Sequence, residues 1–134
     1  MLTKKERNMI IEFSKEHLHA SILYLFGSYA TGLENPNSDI DLAYASNRSL
    51  SDSERFFLAQ DLANILNKDV DLIDLRKAND VLSIQVLKNG LILYQSNSTE
   101  RAYMEVVMMK KYARLNEERA SFLEDFKSEG SSND

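Results

Sequence analysis

The sequence predicts an α+β domain: a small mixed β-sheet with helices packed on one face of it. Three observations carry this. Apolar residues alternate with period two in "DIDLAYA" and "DVDLIDL", as strands require. Stripes at helical spacing separate these runs. The first two strands are joined by too few residues for a helical crossover, so they pair antiparallel.

The elements follow in order. Residues from about Thr3 to His19 read as a helix. Thr3 caps it with Glu6 at capping-box spacing, and Met9, Ile10, Phe13 and Leu18 form its stripe. Ile22 to Phe26 is a short apolar run ended by Gly27, a buried strand. Asn35, Pro36, Asn37 and Ser38 mark a loop. "DIDLAYA" is the second strand, with Asp39, Asp41 and Ala43 on one face. Ser51 and Glu54 open a helix whose stripe is Phe56, Phe57, Ala59, Leu62, Ala63 and Leu66. Asp69 to Leu75 alternates again, as a third strand. "ANDVLSIQVLKNG" is a short helix stopped at Asn89-Gly90. Leu91 to Gln95 is a fourth strand. A long helix then runs from about Ser98 to Lys127. The domain is expected over residues 1–127, with a flexible tail over 128–134.

Composition narrows the function classes. The chain has 134 residues, the size of one domain, and 43% are hydrophobic, enough for a core. It has no cysteine, which excludes disulfides, thiolate zinc sites and thiol nucleophiles and fits a cytoplasmic protein. No apolar run approaches the roughly 20 residues that span a bilayer. The net charge of -5 argues against direct nucleic-acid binding.

The chemistry lies in the carboxylates. Asp39 and Asp41 project from one face of a strand, about 6–7 Å apart along it. Two anions that close repel, and burial raises the cost of ionising them. A divalent cation relieves both penalties, and Mg²⁺ suits oxygen ligands. Asp71, alternating with Val70 and Leu72, joins them if its strand lies beside theirs. Gly27 lets a phosphate approach the backbone, and Ser28 adds a hydroxyl and an N–H donor. One end of the sheet then gathers phosphate donors and metal ligands, as a nucleoside triphosphate requires.

This pattern resembles the nucleotidyltransferase superfamily of DNA polymerase beta: Gly-Ser, ten residues, Asp-x-Asp, and a third carboxylate on a later strand. "GSYATG" and "VLKNGLILYQ" look like the minimal nucleotidyltransferases. The resemblance covers roughly residues 5–95. It implies that Gly27 and Ser28 hold the triphosphate of ATP, that Asp39 and Asp41 bind Mg²⁺, and that Asp71 completes the metal site and helps deprotonate the acceptor. In relatives of this kind the partner is a HEPN-domain toxin, a ribonuclease, silenced by transfer of AMP to a tyrosine. Many relatives carry Arg where this chain has Thr31. Two alternatives stay open: an antitoxin that acts by occlusion alone, and a small-molecule nucleotidyltransferase.

Other features await the structure. Tyr103, Met104, Val106, Val107, Met108, Met109 and Tyr112 make the first half of the last helix apolar around more than one face. They either pack on the sheet or dock a partner, and Phe122, Leu123 and Phe126 extend the same choice. Arg76 and Lys77 are candidates to reach the cleft. Asp69 and Asp74 flank the third strand as solvated groups. His17 and His19 sit where a helix dipole favours them.

Overall fold

The longer helices begin where a side chain answers their unpaired N–H groups. The structure, a computed structural model, describes the backbone of residues 1–132 and the side chains of residues 1–120. Helix α1 spans Lys4–Phe13. The Thr3 hydroxyl accepts the Glu6 N–H at 3.0 Å, and the Glu6 carboxylate accepts the Thr3 N–H at 3.1 Å. A π-helical turn, Ser14–Leu18, extends it, and His19 in the left-handed region (φ 51°) ends it. Helix α3, Asp52–Leu66, opens on the same reciprocal pair, Ser51 with Glu54. Caps of this kind contribute about 1 kcal/mol each. Between them lie strand β1, Ala20–Phe26, the single turn α2, Ser28–Thr31, and strand β2, Ile40–Ser46. Strand β3, Val70–Asp74, helix α4, Asp80–Asn89, strand β4, Leu91–Gln95, and helix α5, Ser98–Ser132, complete the chain.

The four strands form one sheet in the order β3-β2-β1-β4. β1 is antiparallel to β2 and to β4, whereas β2 and β3 are parallel, joined through α3. The sheet is therefore mixed, as its pattern predicts.

Helices cover both faces, not one. On the first face Leu23, Leu25, Leu42 and Leu72 pack with Ile10 and Phe13 of α1 and Leu62 of α3. On the second, Ile22, Tyr24 and Ala43 pack with Val86 of α4, and Met104 and Met108 of α5 lie against them. The reason is visible in β1, where successive residues are apolar without alternation, so both of its faces need cover.

Part of the apolar half of α5 packs on the sheet and part stays uncovered. Met104 and Met108 pack inward, while Tyr103, Val106 and Met109 stand exposed. The Tyr24 hydroxyl donates to Glu105 at 2.5 Å and ties α5 to the sheet. α5 runs past Lys127 to Ser132. The side chains of Phe122, Leu123 and Phe126 lie outside the described residues, as do Asn133 and Asp134.

Gly90 ends α4 for a different reason from the usual left-handed cap. Its backbone is extended (φ -80°, ψ 156°). A Cβ there would collide with the Val86 carbonyl and press on that of Leu25, so the glycine permits a close approach. No helix among the described residues is long and apolar enough to cross a membrane.

Candidate active site

The end of β1 and the starts of β2 and β3 meet at one end of the sheet. Phe26, the last residue of β1, pairs with Asp41, and Asp41 pairs with Asp71. Paired residues on adjacent strands share a face, at about 4.8 Å between strands. Asp41 and Asp71 therefore stand side by side. Asp39 lies one residue before β2 begins, and its charge is felt at Asp41. The structure thus brings all three predicted aspartates into one neighbourhood. Asp41 is half-buried, while Asp39 and Asp71 are exposed.

Electrostatics mark Asp41 apart. Burial pushes its carboxyl up to about 6, and the charges of Asp71 and then Asp39 push the same way. Among the described residues, no three such side chains are drawn together closely enough to hold a metal ion as they stand. The aspartates share a face without closing on a common point.

Gly27 makes the approach to Asp41 possible. It is held at φ 71°, ψ -152°, a region that side chains avoid. A Cβ at Gly27 would overlap the Asp41 carboxylate. The chain then turns at once into α2, where the N–H groups of Ala30 and Thr31 return to the Gly27 carbonyl at 3.1 and 3.3 Å. Ser28 and Tyr29, at the head of that turn, precede any intrahelical acceptor. The Thr31 hydroxyl folds back on the Gly27 and Ser28 carbonyls at 3.4 and 3.3 Å. Tyr29 is buried, and its ring lies under the Lys68 ammonium at 5.5 Å. Lys68 in turn bonds Glu6 at 2.8 Å, so α1, the turn after β1 and the end of α3 are braced together.

The other polar candidates are placed elsewhere. Arg76 reaches Asn47 at 3.2 Å, and Lys77 reaches the Leu50 carbonyl at 2.6 Å, so both hold the loop after β2. Asp74 is buried, contrary to its reading as a solvated flank, and accepts the Arg76 N–H at 2.9 Å. Asp69 is exposed, and its carbonyl accepts the Ile40 N–H at 2.9 Å. His17 stacks on Phe13, with ring centroids 4.5 Å apart, and His19 accepts from Arg48 at 2.9 Å.

One feature of the site arises only from the tertiary fold. A groove of about 420 Å³ beside β3 is lined by Asp39 and Asp71 together with Arg55, Phe56 and Gln60 of α3. Phe56 and Phe57, which the helical spacing places in the buried stripe, are both exposed, because α3 turns only Ala59, Leu62 and Leu66 inward.

Comparisons with known proteins bear on the family of the chain. The family model described as "Polymerase beta, Nucleotidyltransferase" matches residues 8–99. The protein adenylyltransferase MntA of Shewanella oneidensis is 37% identical over 119 residues, which is 88% of this chain and 85% of that protein. A crystal structure described as a toxin-antitoxin with AMP-PNP is similar at 37% identity and a TM-score of 0.82, covering 89% of this chain and 96% of that one. A structure of a tri-AMPylated Shewanella oneidensis HEPN toxin in complex with MNT antitoxin is similar at 33% identity and a TM-score of 0.78, covering 92% of this chain and 98% of that one. The family match takes in more than half of the chain, from within α1 to the start of α5, and on that span the chain belongs to the polymerase beta nucleotidyltransferase family.

Proposed function

We propose that this chain is an antitoxin enzyme that transfers AMP from ATP to a tyrosine of a HEPN-domain ribonuclease toxin and so neutralises it. The observation that carries the proposal is the register that sets Asp41 beside Asp71, next to a glycine turn that only a bare backbone can make. A relative named as a protein adenylyltransferase and a similar antitoxin solved with an AMPylated HEPN toxin support the same reading.

The chemistry of the donors suits Mg²⁺, although the side chains as they stand do not close on one point. Every donor is a carboxylate oxygen, and burial with two like charges leaves Asp41 in need of a counter-charge. Asp39, Asp41 and Asp71 would hold the ion. When bound, it offsets negative charge on the triphosphate and on departing pyrophosphate.

The chain's own groups do the rest. Gly27 gives the triphosphate access to the backbone, and Ser28 supplies a hydroxyl and an N–H to it. Asp71, exposed on β3, accepts the proton of the attacking hydroxyl. The acceptor oxygen bonds to the α-phosphorus, the bond from that phosphorus to the β-phosphate bridge breaks, and its electron pair leaves with pyrophosphate.

The test is the intact mass of the partner toxin after incubation with this protein, ATP and Mg²⁺. Addition of AMP units is expected. An Asp39→Asn, Asp41→Asn double variant should add none while still folding. Equal labelling by that variant would overturn the site assignment. Neutralisation of the toxin by the inactive variant would instead favour occlusion, for which the exposed Tyr103, Val106 and Met109 of α5 provide a surface.

A further inference from the structure

Phe56 lines the groove beside β3 together with two of the three aspartates, Asp39 and Asp71. The ring is 59% exposed. It meets Phe57 edge to face, with centroids 5.8 Å apart and planes at 71°. The buried residues of α3 are Ala59, Leu62 and Leu66, so the fold does not need Phe56 for its core. A large aromatic side chain left facing water within a polar cleft gains from an apolar or aromatic ligand.

The position of the groove selects the ligand. β3 is an edge strand, and the order β3-β2-β1 puts Asp41 between it and the Gly27 turn that ends β1. In phosphoryl transfer the attacking and leaving oxygens lie roughly in line on opposite sides of phosphorus. The triphosphate belongs with Gly27 and Ser28 on the β1 side. The attacking group then approaches from the β3 side, past Asp71 and α3.

We infer that the groove between β3 and α3 is the acceptor channel, and that Phe56 is its specificity residue, packing against the aromatic ring of the side chain that receives AMP. This rests on the AMP-transfer function proposed above. An acceptor phenol held by its ring against Phe56 presents its hydroxyl towards the Asp39 and Asp71 end of the cleft. Its oxygen bonds to the α-phosphorus as pyrophosphate departs with the electron pair of the broken bond, and its proton passes to Asp71. A serine or threonine acceptor lacks the ring and gains nothing from Phe56.

Steady-state kinetics with the whole chain and its HEPN toxin tests the assignment. The Phe56→Ala variant should raise KM for the toxin by about 3- to 10-fold, the worth of one aromatic pair, and leave KM for ATP unaltered. Phe56→Tyr, which keeps the ring, should restore the toxin KM. A thermal melt of Phe56→Ala close to that of the unaltered chain separates this from a folding defect. An unaltered toxin KM overturns the inference. A rise in the ATP KM instead also overturns it and gives the ring to the nucleobase. Failure of the unaltered chain to modify the toxin at all overturns the proposed function itself, which is a separate result.

Discussion

The carboxylate of Asp41 occupies the space into which any side chain on Gly27 would grow. The two residues come from different segments, yet the presence of one forbids a side chain on the other. Gly27→Ala forces a β-carbon onto that carboxylate from a backbone at φ 71°. Strain of this kind costs about 1–3 kcal/mol. The melting temperature should fall by about 5 to 10 °C, and AMP transfer by about 100-fold or more as Asp41 is displaced. Calorimetry and the mass assay on the same preparation check both.

Asp41→Asn should separate stability from activity. Burial and two neighbouring charges raise the carboxyl to about 6, above its unfolded value. The folded form thus holds the proton more tightly, and stability is lost as pH rises from the ordinary carboxylate range through about 6. At pH 7.5 in chelator, the asparagine variant should melt about 2 to 5 °C higher than the unaltered chain. Added Mg²⁺ should stabilise the unaltered chain and leave the variant nearly unmoved. Transfer by the variant should be abolished.

The Glu6–Lys68 pair predicts a different pH dependence. The bond to Lys68 holds the Glu6 carboxyl below its ordinary value, and the bond to Glu6 raises the Lys68 ammonium. The glutamate's contribution is present above the ordinary carboxylate range and lost as pH falls through its lowered folded value. The lysine's is present below its ordinary range and lost only in strong alkali. Lys68→Met should therefore cost about 1 kcal/mol at pH 7 and much less at pH 3. Urea midpoints at the two values measure it, and a variant equally destabilised at both would contradict the assignment.

Tyr24 and Glu105 give an ordering. The tyrosine is 2% exposed and donates to Glu105, which also accepts from Arg101 at 3.0 Å. Glu105→Ala strands a buried hydroxyl and should cost about 1–3 kcal/mol. Tyr24→Phe leaves the glutamate paired with Arg101 and should cost about 1 kcal/mol. Denaturant titrations that reverse this order would show that the hydroxyl finds another partner.

The parts of the structure that were legible in the sequence are those where one force dominates. Alternation in "DIDLAYA" and "VDLID" places Asp41 and Asp71 on strand faces, while the parallel pairing that sets them side by side belongs to the fold. The Thr3 and Ser51 caps followed from local hydrogen bonding. Tertiary context decided the rest. The uninterrupted apolar run of β1 was compatible with one covered face or two. Gly90 ends its helix by close contact with Val86 and Leu25, a constraint that local chain preference does not express. Asp74 is buried because it accepts the N–H of Arg76 in the turn that follows it, and Phe56 is exposed because its segment of α3 borders a groove at the sheet's edge.

The crossover between β2 and β3 carries a consequence for biosynthesis. Asp39 and Asp41 emerge from the ribosome with the first hairpin, but their third companion arrives only after the whole of α3 has been made. A nascent chain that ends within α3 carries Asp39 and Asp41 but lacks Asp71. Completing the parallel pair is thus the step at which the carboxylates of the candidate site first come together.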